Sequence, residues 1–111
     1  MPAYAFAILR DVRINDEIAL YIGRIDATLA PYGGKFMIHG GRTEVLEGDW
    51  AGDLVAIAFP DTASARQWYQ SEAYQAILPL RTRNSQGITF LVEGVDAGYQ
   101  GAQMLAKLAP C

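Results

Sequence analysis

The sequence contains few residues that support covalent or metal chemistry. Its 111 residues include one cysteine, Cys111, and one histidine, His39. A single cysteine cannot form an intrachain disulfide, and a lone histidine without a second histidine or a cysteine nearby lacks the spacing of a zinc site. We therefore expect no metal site, a cytoplasmic protein, and a terminal thiol without a structural role.

Positive charge is also scarce. Nine Lys and Arg residues against 12 Asp and Glu give a formal net charge of −3 at pH 7. The chain therefore lacks the basic surplus with which nucleic-acid-binding proteins neutralise phosphates. The apolar N-terminal run, residues 3–9, is far too short to span a bilayer. Neither a nucleic acid nor a membrane is an expected partner.

Motifs for common cofactors and nucleophiles are missing as well. The sequence has no Gly-x-Gly-x-x-Gly, no phosphate-binding loop, no nucleophile elbow and no cysteine close to His39. These absences disfavour nucleotide-dependent chemistry and covalent serine or cysteine mechanisms. No cofactor is expected.

The first third of the chain predicts a strand followed by a helix. Residues 3–9 alternate alanines with larger side chains, and this period of two predicts a strand whose alanine side lies close to a helix. Asn15 predicts the N-cap of that helix. Apolar residues recur behind it at helical spacing as far as Tyr32, where a glycine pair ends the pattern.

The middle of the chain predicts two more strands. Residues 35–46 predict a strand with a bulge or bend at the glycine pair that follows His39. In such a strand His39 would share one face with Lys35 and Met37. The apolar run 54–59 predicts a central strand that is covered on both faces.

The last third predicts a helical region, a strand and a tail. Asp61 predicts a second helix N-cap, and Ser71 predicts that the helix restarts there. Pro79 lies within the second part and predicts a kink. Residues 88–93 predict the final strand, and residues 96–108 predict a short helix with one apolar edge.

The element order is βαββαβ. With 51% hydrophobic and 19% charged residues, the chain has the composition of one globular domain. The order predicts an α+β, ferredoxin-like fold: a four-stranded antiparallel sheet with its helices on one face. We assign this domain to residues 1–95 and an additional helical tail to residues 96–111. The fold by itself does not define a function, because one such scaffold hosts many activities.

Specific residues extend this prediction to a family. The chain resembles an uncharacterised bacterial family, domain of unknown function 1330, within the dimeric α/β-barrel superfamily. The resemblance covers roughly residues 3–95 and rests on Tyr4, Tyr32-Gly33-Gly34, His39-Gly40-Gly41, Glu47-Gly48-Asp49-Trp50, Phe59-Pro60, Ala65, Trp68-Tyr69, Ser71, Tyr74-Gln75, Leu80-Arg81 and Val92-Glu93-Gly94. The chain departs from the family pattern at His39, where an arginine is common, and at Ala58, where an acid is common.

The resemblance implies a homodimer in which two sheets pack face to face and close a barrel. The sequence supports the same assembly independently. When all helices lie on one side of a sheet, Tyr4, Phe6 and Ile8 or their alternates face water in a monomer, and a large exposed apolar patch marks an interface. The expected partner is therefore a second copy of the chain.

His39 and Arg81 are the two strongest candidates for chemistry. Histidine is the side chain that most readily exchanges protons near neutral pH, so His39 is the candidate catalytic base. Arg81 lies on an otherwise apolar helix stripe and could bind a substrate carboxylate through two hydrogen bonds. The alternatives are a structural or exposed His39, and an Arg81 whose stem covers apolar surface while its head pairs with Glu or Asp.

Three aromatic residues are candidates for substrate binding. Tyr4 and Tyr74 would shape the pocket, although buried tyrosines are more often core residues with a satisfied hydroxyl. Trp50 lies in a glycine-flanked acidic loop and could act as a lid, or could pack over the end of the barrel.

Two functions remain open. The first is a cofactor-independent enzyme acting on a small aromatic or carboxylated metabolite, resembling the isomerases, decarboxylases and monooxygenases of related barrels. The second is a non-catalytic dimer that binds a small ligand or serves as a structural module. A partly polar pocket reached by His39 favours the first, and a filled barrel favours the second.

Overall fold

The computed structural model of the protein describes residues 1–108, and Cys111 lies outside the described residues. Four antiparallel strands form one sheet in the order β2-β3-β1-β4. The strands are β1 (Ala3–Arg10), β2 (Lys35–His39), β3 (Asp53–Phe59) and β4 (Gln86–Glu93). This order and direction confirm the predicted ferredoxin-like sheet.

The helices follow the predicted N-caps. The Asn15 side chain accepts a hydrogen bond from the backbone N–H of Ile18 at 3.0 Å, and the Asp61 side chain accepts one from Ser64 at 2.7 Å. Ser71 restarts the second helical region as predicted, and the last helix there continues through Pro79. The helices are α1 (Asp16–Leu29), α2 (Thr62–Gln70), α3 (Glu72–Thr82) and α4 (Leu105–Leu108).

The core lies between the helices and one face of the sheet. Ala3 is fully buried, which confirms that the alanine side of β1 faces the helices. The core cluster joins α1, β3, α2 and α3 through residues such as Leu29, Ile57, Trp68 and Ile77. A side chain at position 34 would crowd this cluster, since a Cβ there would lie 2.7 Å from Leu29 and 2.8 Å from Phe59.

No helix of residues 1–108 covers the other face of the sheet. β3 is a central strand as predicted, but the prediction that both its faces are covered is wrong within the single chain. We call this surface the open sheet face. It consists of Tyr4, Phe6, Ile8, Lys35, Ile38, Leu54, Ala56, Ala58, Ile88, Phe90 and Val92. Phe6 and Phe90 stack on it with their ring centres 5.6 Å apart.

The predicted strand over residues 35–46 is too long. β2 ends at His39, and residues 40–52 form a loop. The bulge lies at Met37 and not at the glycines, because Phe36 pairs with Ile57 while Ile38 pairs with Ala56, its immediate neighbour. Gly40 has φ +72°, a left-handed conformation that glycine adopts without strain, and it turns the chain out of the sheet.

The tail forms a short helical segment with exposed apolar residues. Met104, Leu105 and Leu108 are 41%, 67% and 70% exposed. They are therefore not buried against their own domain, and docking on a second copy of the chain stays a prediction. Among residues 1–108, none of the helices combines the length and the apolar character needed to cross a membrane.

A polar network ties the start of α1 to the end of α3. Asn15 donates to the Asn84 side chain at 2.6 Å, Asn84 donates to Glu17 at 3.0 Å, and Arg83 forms an ion pair with Glu17. The hydrogen bond from Arg83, followed by that from Asn84, holds the pKa of Glu17 below its usual value. The network fixes the last turn of α3, which carries Arg81.

Candidate functional site

A cavity of about 420 Å³ lies between the helices and the sheet. Small-molecule sites in proteins commonly measure roughly 300 to 1,000 Å³ and are mostly apolar with a few polar groups. The lining follows that pattern: strand residues such as Val55 and Leu91 are joined by aromatic side chains from the helices. The aromatic residues from the helices are Tyr21, Trp68, Tyr69 and Tyr74.

Three polar side chains meet at one wall of the cavity. Tyr21 on α1 and Tyr74 on α3 are hydrogen-bonded through their hydroxyls at 2.7 Å. The guanidinium carbon of Arg81, two turns beyond Tyr74, lies 5.9 Å from the centre of the Tyr21 ring, within reach of a cation–π contact. Arg81 is only 9% exposed. The wall thus combines a buried fixed cation with two phenol hydroxyls.

Arg81 carries its charge without a carboxylate partner in the described part of the chain. Within residues 1–108, the recorded ion pair is that of Glu17 with Arg83, and no carboxylate pairs with Arg81. Burial works against the charged guanidinium, but the oxygens of Tyr74 and Tyr21 outweigh it and raise the pKa of Arg81. A buried charge without an opposite charge is costly. The predicted alternative, an internal pair with Glu or Asp, is wrong for this residue.

Tyr21 remains a neutral hydrogen-bond donor. Burial, reinforced by the neighbouring Tyr74, raises the pKa of Tyr21 far above its usual value. Its hydroxyl and that of Tyr74 share one proton in their mutual hydrogen bond and leave the second proton for a further acceptor. An anion beside Arg81 would supply that acceptor.

His39 lies at another part of the same cavity. Its ring stacks on Phe36 with the centres 4.4 Å apart, and its side chain is exposed. The prediction that His39 shares a face with Lys35 and Met37 is wrong, because the bulge at Met37 shifts the alternation by one residue. His39 pairs with Val55 and therefore faces the helix side of the sheet together with Phe36. The bulge is what turns the imidazole toward the cavity.

Two of the predicted site residues lie elsewhere. Tyr4 is on the open sheet face, with its ring 6.2 Å from that of Phe6. Trp50 lies in the loop after β2, is 39% exposed and donates its indole N–H to the Gly52 carbonyl at 3.0 Å. The cavity brings together His39, Arg81 and Tyr74, and its lining does not include Tyr4 or Trp50.

Sequence reasoning did not select Tyr21 or Arg66 as site residues. Tyr21 lies on the apolar stripe of α1, and a hydroxyl in that stripe signals a buried polar contact. Arg66 is an exposed residue of α2 that lines the cavity, and nothing in its sequence context distinguishes it from other surface arginines. Among residues 1–108, no three His, Cys, Asp or Glu side chains cluster as metal ligands would.

Comparison with known proteins places the chain in a family. The family model for the domain of unknown function 1330 matches residues 2–95. The chain belongs to that family. No curated protein matches the sequence.

Solved structures share the fold of this family member. A protein of unknown function from Rhodopseudomonas palustris is 16% identical, with 86% of this chain and 83% of that chain covered and a TM-score of 0.64. A dimeric ferredoxin-like protein of unknown function from Jannaschia is 12% identical over 85% of this chain and 100% of that chain, with a TM-score of 0.66. SnoaB, a cofactor-independent oxygenase from Streptomyces nogalater, is 18% identical over 90% and 100%, with a TM-score of 0.56. At these identities the similarity shows the fold alone.

Proposed function

We propose that the protein is a cofactor-independent enzyme acting on a small aromatic carboxylate bound in the 420 Å³ cavity. One observation carries this proposal: Arg81 is a buried cation without a carboxylate partner in residues 1–108, and it lies in a cavity wall beside two tyrosine hydroxyls. A carboxylate from the ligand would neutralise it and accept a hydrogen bond from the free tyrosine O–H. The aromatic body would pack against Phe36 and Trp68.

His39 would transfer a proton on the bound ligand. His39 and Arg81 line the same cavity, so a ligand whose carboxylate binds Arg81 would present one of its carbons to the imidazole. A general base of this kind contributes roughly 10²- to 10⁴-fold to a rate. SnoaB, which acts without a cofactor on the same fold, supports this class of function by analogy.

A pair of matched ligands tests binding. 2-Naphthoate and 2-naphthamide have nearly the same shape, but only the first carries a charge. We expect 2-naphthoate to raise the melting temperature and the amide to have little effect, because a ligand that binds only the native state stabilises it. Equal effects of the two ligands, or none, would contradict the anion site.

A deuterium-exchange measurement tests catalysis. Phenylpyruvate enolises by losing a benzylic proton, and in D₂O deuterium replaces this proton when the ketone re-forms. NMR follows the exchange. We expect the protein to accelerate this exchange, and His39→Gln to abolish the acceleration while changing the affinity only a few fold. If phenylpyruvate binds but its exchange is not accelerated, the second function holds: a non-catalytic binding protein. The exposure of His39 is the observation that favours this alternative.

We further propose that the protein is a homodimer formed through the open sheet face. Ile88, Val92 and Ile38 on this face are 60%, 43% and 40% exposed, and a second copy would remove them from water. A stable interface buries on the order of 1,200 Å² or more in total. The dimeric ferredoxin-like protein from Jannaschia supports this assembly.

Sedimentation at micromolar concentration tests the dimer. We expect Val92→Asp to give a monomer, since it places a charge within the proposed interface. Leu20→Asp is the matched control, because Leu20 is similarly exposed at 41% but lies on α1, away from the sheet. A monomeric wild-type protein, or a dimer that survives Val92→Asp, would contradict this assembly.

A further inference from the structure

The cavity differs in charge from the protein as a whole. The chain has a formal net charge of −3. The residues that line the cavity nevertheless include two arginines, Arg66 and Arg81, and only one carboxylate, Asp53. These charges give the cavity lining a net positive charge. A cleft lined by one sign of charge between low-dielectric walls concentrates ions of the opposite sign.

The two arginines come from different helices and lie at different depths. Arg81 on α3 is 9% exposed, whereas Arg66 on α2 is exposed. Within the part of the chain that the structure describes, neither forms an ion pair with a carboxylate. Arg66 and Gln70, which are four residues apart, lie on one side of α2, and both line the cavity. Arg66 thus provides a second cationic position near the surface, with an amide beside it.

We propose that the ligand is an aromatic dicarboxylate, with one carboxylate at Arg81 and the other at Arg66. This inference rests on the proposed function, and it adds the requirement for a second acidic group. The inner carboxylate is desolvated and determines most of the affinity. The outer carboxylate stays in contact with water, and Arg66 acts as a specificity-determining residue that favours diacids over monoacids.

The expected contribution of Arg66 is modest because its partner remains solvated. Exposed ion pairs contribute about 0.2 to 1 kcal/mol, which corresponds to a preference of up to about fivefold. Such a preference also declines with ionic strength, since salt screens exposed charges over about 10 Å at 0.1 M. We therefore expect two properties of this site: tighter binding of a diacid than of a monoacid, and a decrease of this preference at high salt.

Titration calorimetry with three probes tests the inference: 2-naphthoate, naphthalene-2,6-dicarboxylate and the monomethyl ester of the latter. The diacid has two equivalent carboxylates, so statistics alone favour it twofold over the monoester. We expect the wild-type protein to bind the diacid more than twofold and up to about tenfold more tightly at low salt, with the ratio falling toward two in 0.5 M NaCl. Arg66→Gln should reduce the ratio to about two, the statistical value for two equivalent carboxylates, and should weaken the binding of 2-naphthoate less than that of the diacid. Arg24→Gln, an exposed arginine of α1 outside the cavity lining, should keep the wild-type ratio.

The outcomes separate this inference from the proposed function. If 2-naphthoate binds and depends on Arg81 but the diacid has no more than the statistical twofold advantage, the dicarboxylate inference is overturned and the proposed function stands. The same holds if Arg66→Gln leaves a larger advantage in place. If neither acid binds, both are overturned.

Discussion

Replacing Arg81 by methionine should separate ligand binding from folding. Methionine keeps much of the unbranched stem and removes the guanidinium. In most proteins, truncating a buried polar residue weakens both stability and function. Arg81 should behave differently, because the protein holds its charge without a carboxylate partner within residues 1–108.

The surroundings of Arg81 determine how much Arg81→Met should change the free energy of unfolding and the affinity for a carboxylate. Removing the guanidinium loses its contact with the Tyr21 ring, which is 5.9 Å away and is worth about 0.5 to 2 kcal/mol. It also removes the cost of burying an unneutralised cation, and replacing buried charges by apolar groups of similar size is often neutral or stabilising. We expect the free energy of unfolding to change by less than about 1 kcal/mol. Carboxylate binding should weaken about ten- to hundredfold, because hydrogen bonds to charged groups contribute about 1.5 to 3 kcal/mol.

Urea denaturation and calorimetric titration with 2-naphthoate measure the two effects on the same samples. Arg81→Lys should also weaken binding, because an ammonium cannot reproduce the planar two-pronged contact. Arg24→Met controls for the loss of one positive charge. Destabilisation of Arg81→Met by about 3 to 5 kcal/mol, as when a buried pair is broken, with unchanged binding would show that Arg81 is structural.

Three further predictions concern stability. Glu17→Gln should reduce the loss of stability in acid. The pKa of Glu17 is lowered in the folded state, so the ionised carboxylate stabilises the fold above pH 4.5, its usual pKa, and this stabilisation is lost as the pH falls through the lowered pKa. Urea denaturation between pH 6 and 3 measures the difference between the two proteins. Gly34→Ala should lower the free energy of unfolding by about 1 to 3 kcal/mol because the new methyl group overlaps two buried side chains; an unchanged midpoint would contradict this packing. Deleting residues 96–111 should change the melting temperature little, since Met104, Leu105 and Leu108 are exposed and Tyr99 is only half-buried. A large loss would show that the tail docks on a second copy.

The local features of the fold could be predicted from the sequence. Asn15, Asp61 and Ser71 are helix caps because each side chain bonds to a backbone group only three residues away, and short-range chemistry of this kind is visible in the sequence. The end of β2 could not be predicted in the same way. The bulge at Met37 depends on pairing with β3 across a long loop, and a one-residue shift of register reverses the face of every later side chain.

The site was predictable only in part, for related reasons. Tyr74 and Arg81 share a helix stripe, but Tyr21, which completes their cluster, is 53 residues from Tyr74. The position of Tyr4 could have been predicted from the sequence. The alanines of β1 face the helices, and Tyr4 alternates with them, so its side chain lies on the opposite face of the sheet, away from the cavity. The substrate-binding roles of Tyr4 and Trp50, the catalytic role of His39 and the cytoplasmic location stay predictions.

A crystal structure of the protein with 2-naphthoate tests the central claim most directly. The account predicts the carboxylate within hydrogen-bonding distance of the Arg81 guanidinium and of a tyrosine hydroxyl of the Tyr21–Tyr74 pair. The rings should lie against Phe36 and Trp68, with His39 at the wall of the occupied cavity. A ligand bound on the open sheet face, or one in the cavity with its carboxylate directed to solvent and away from Arg81, would contradict it.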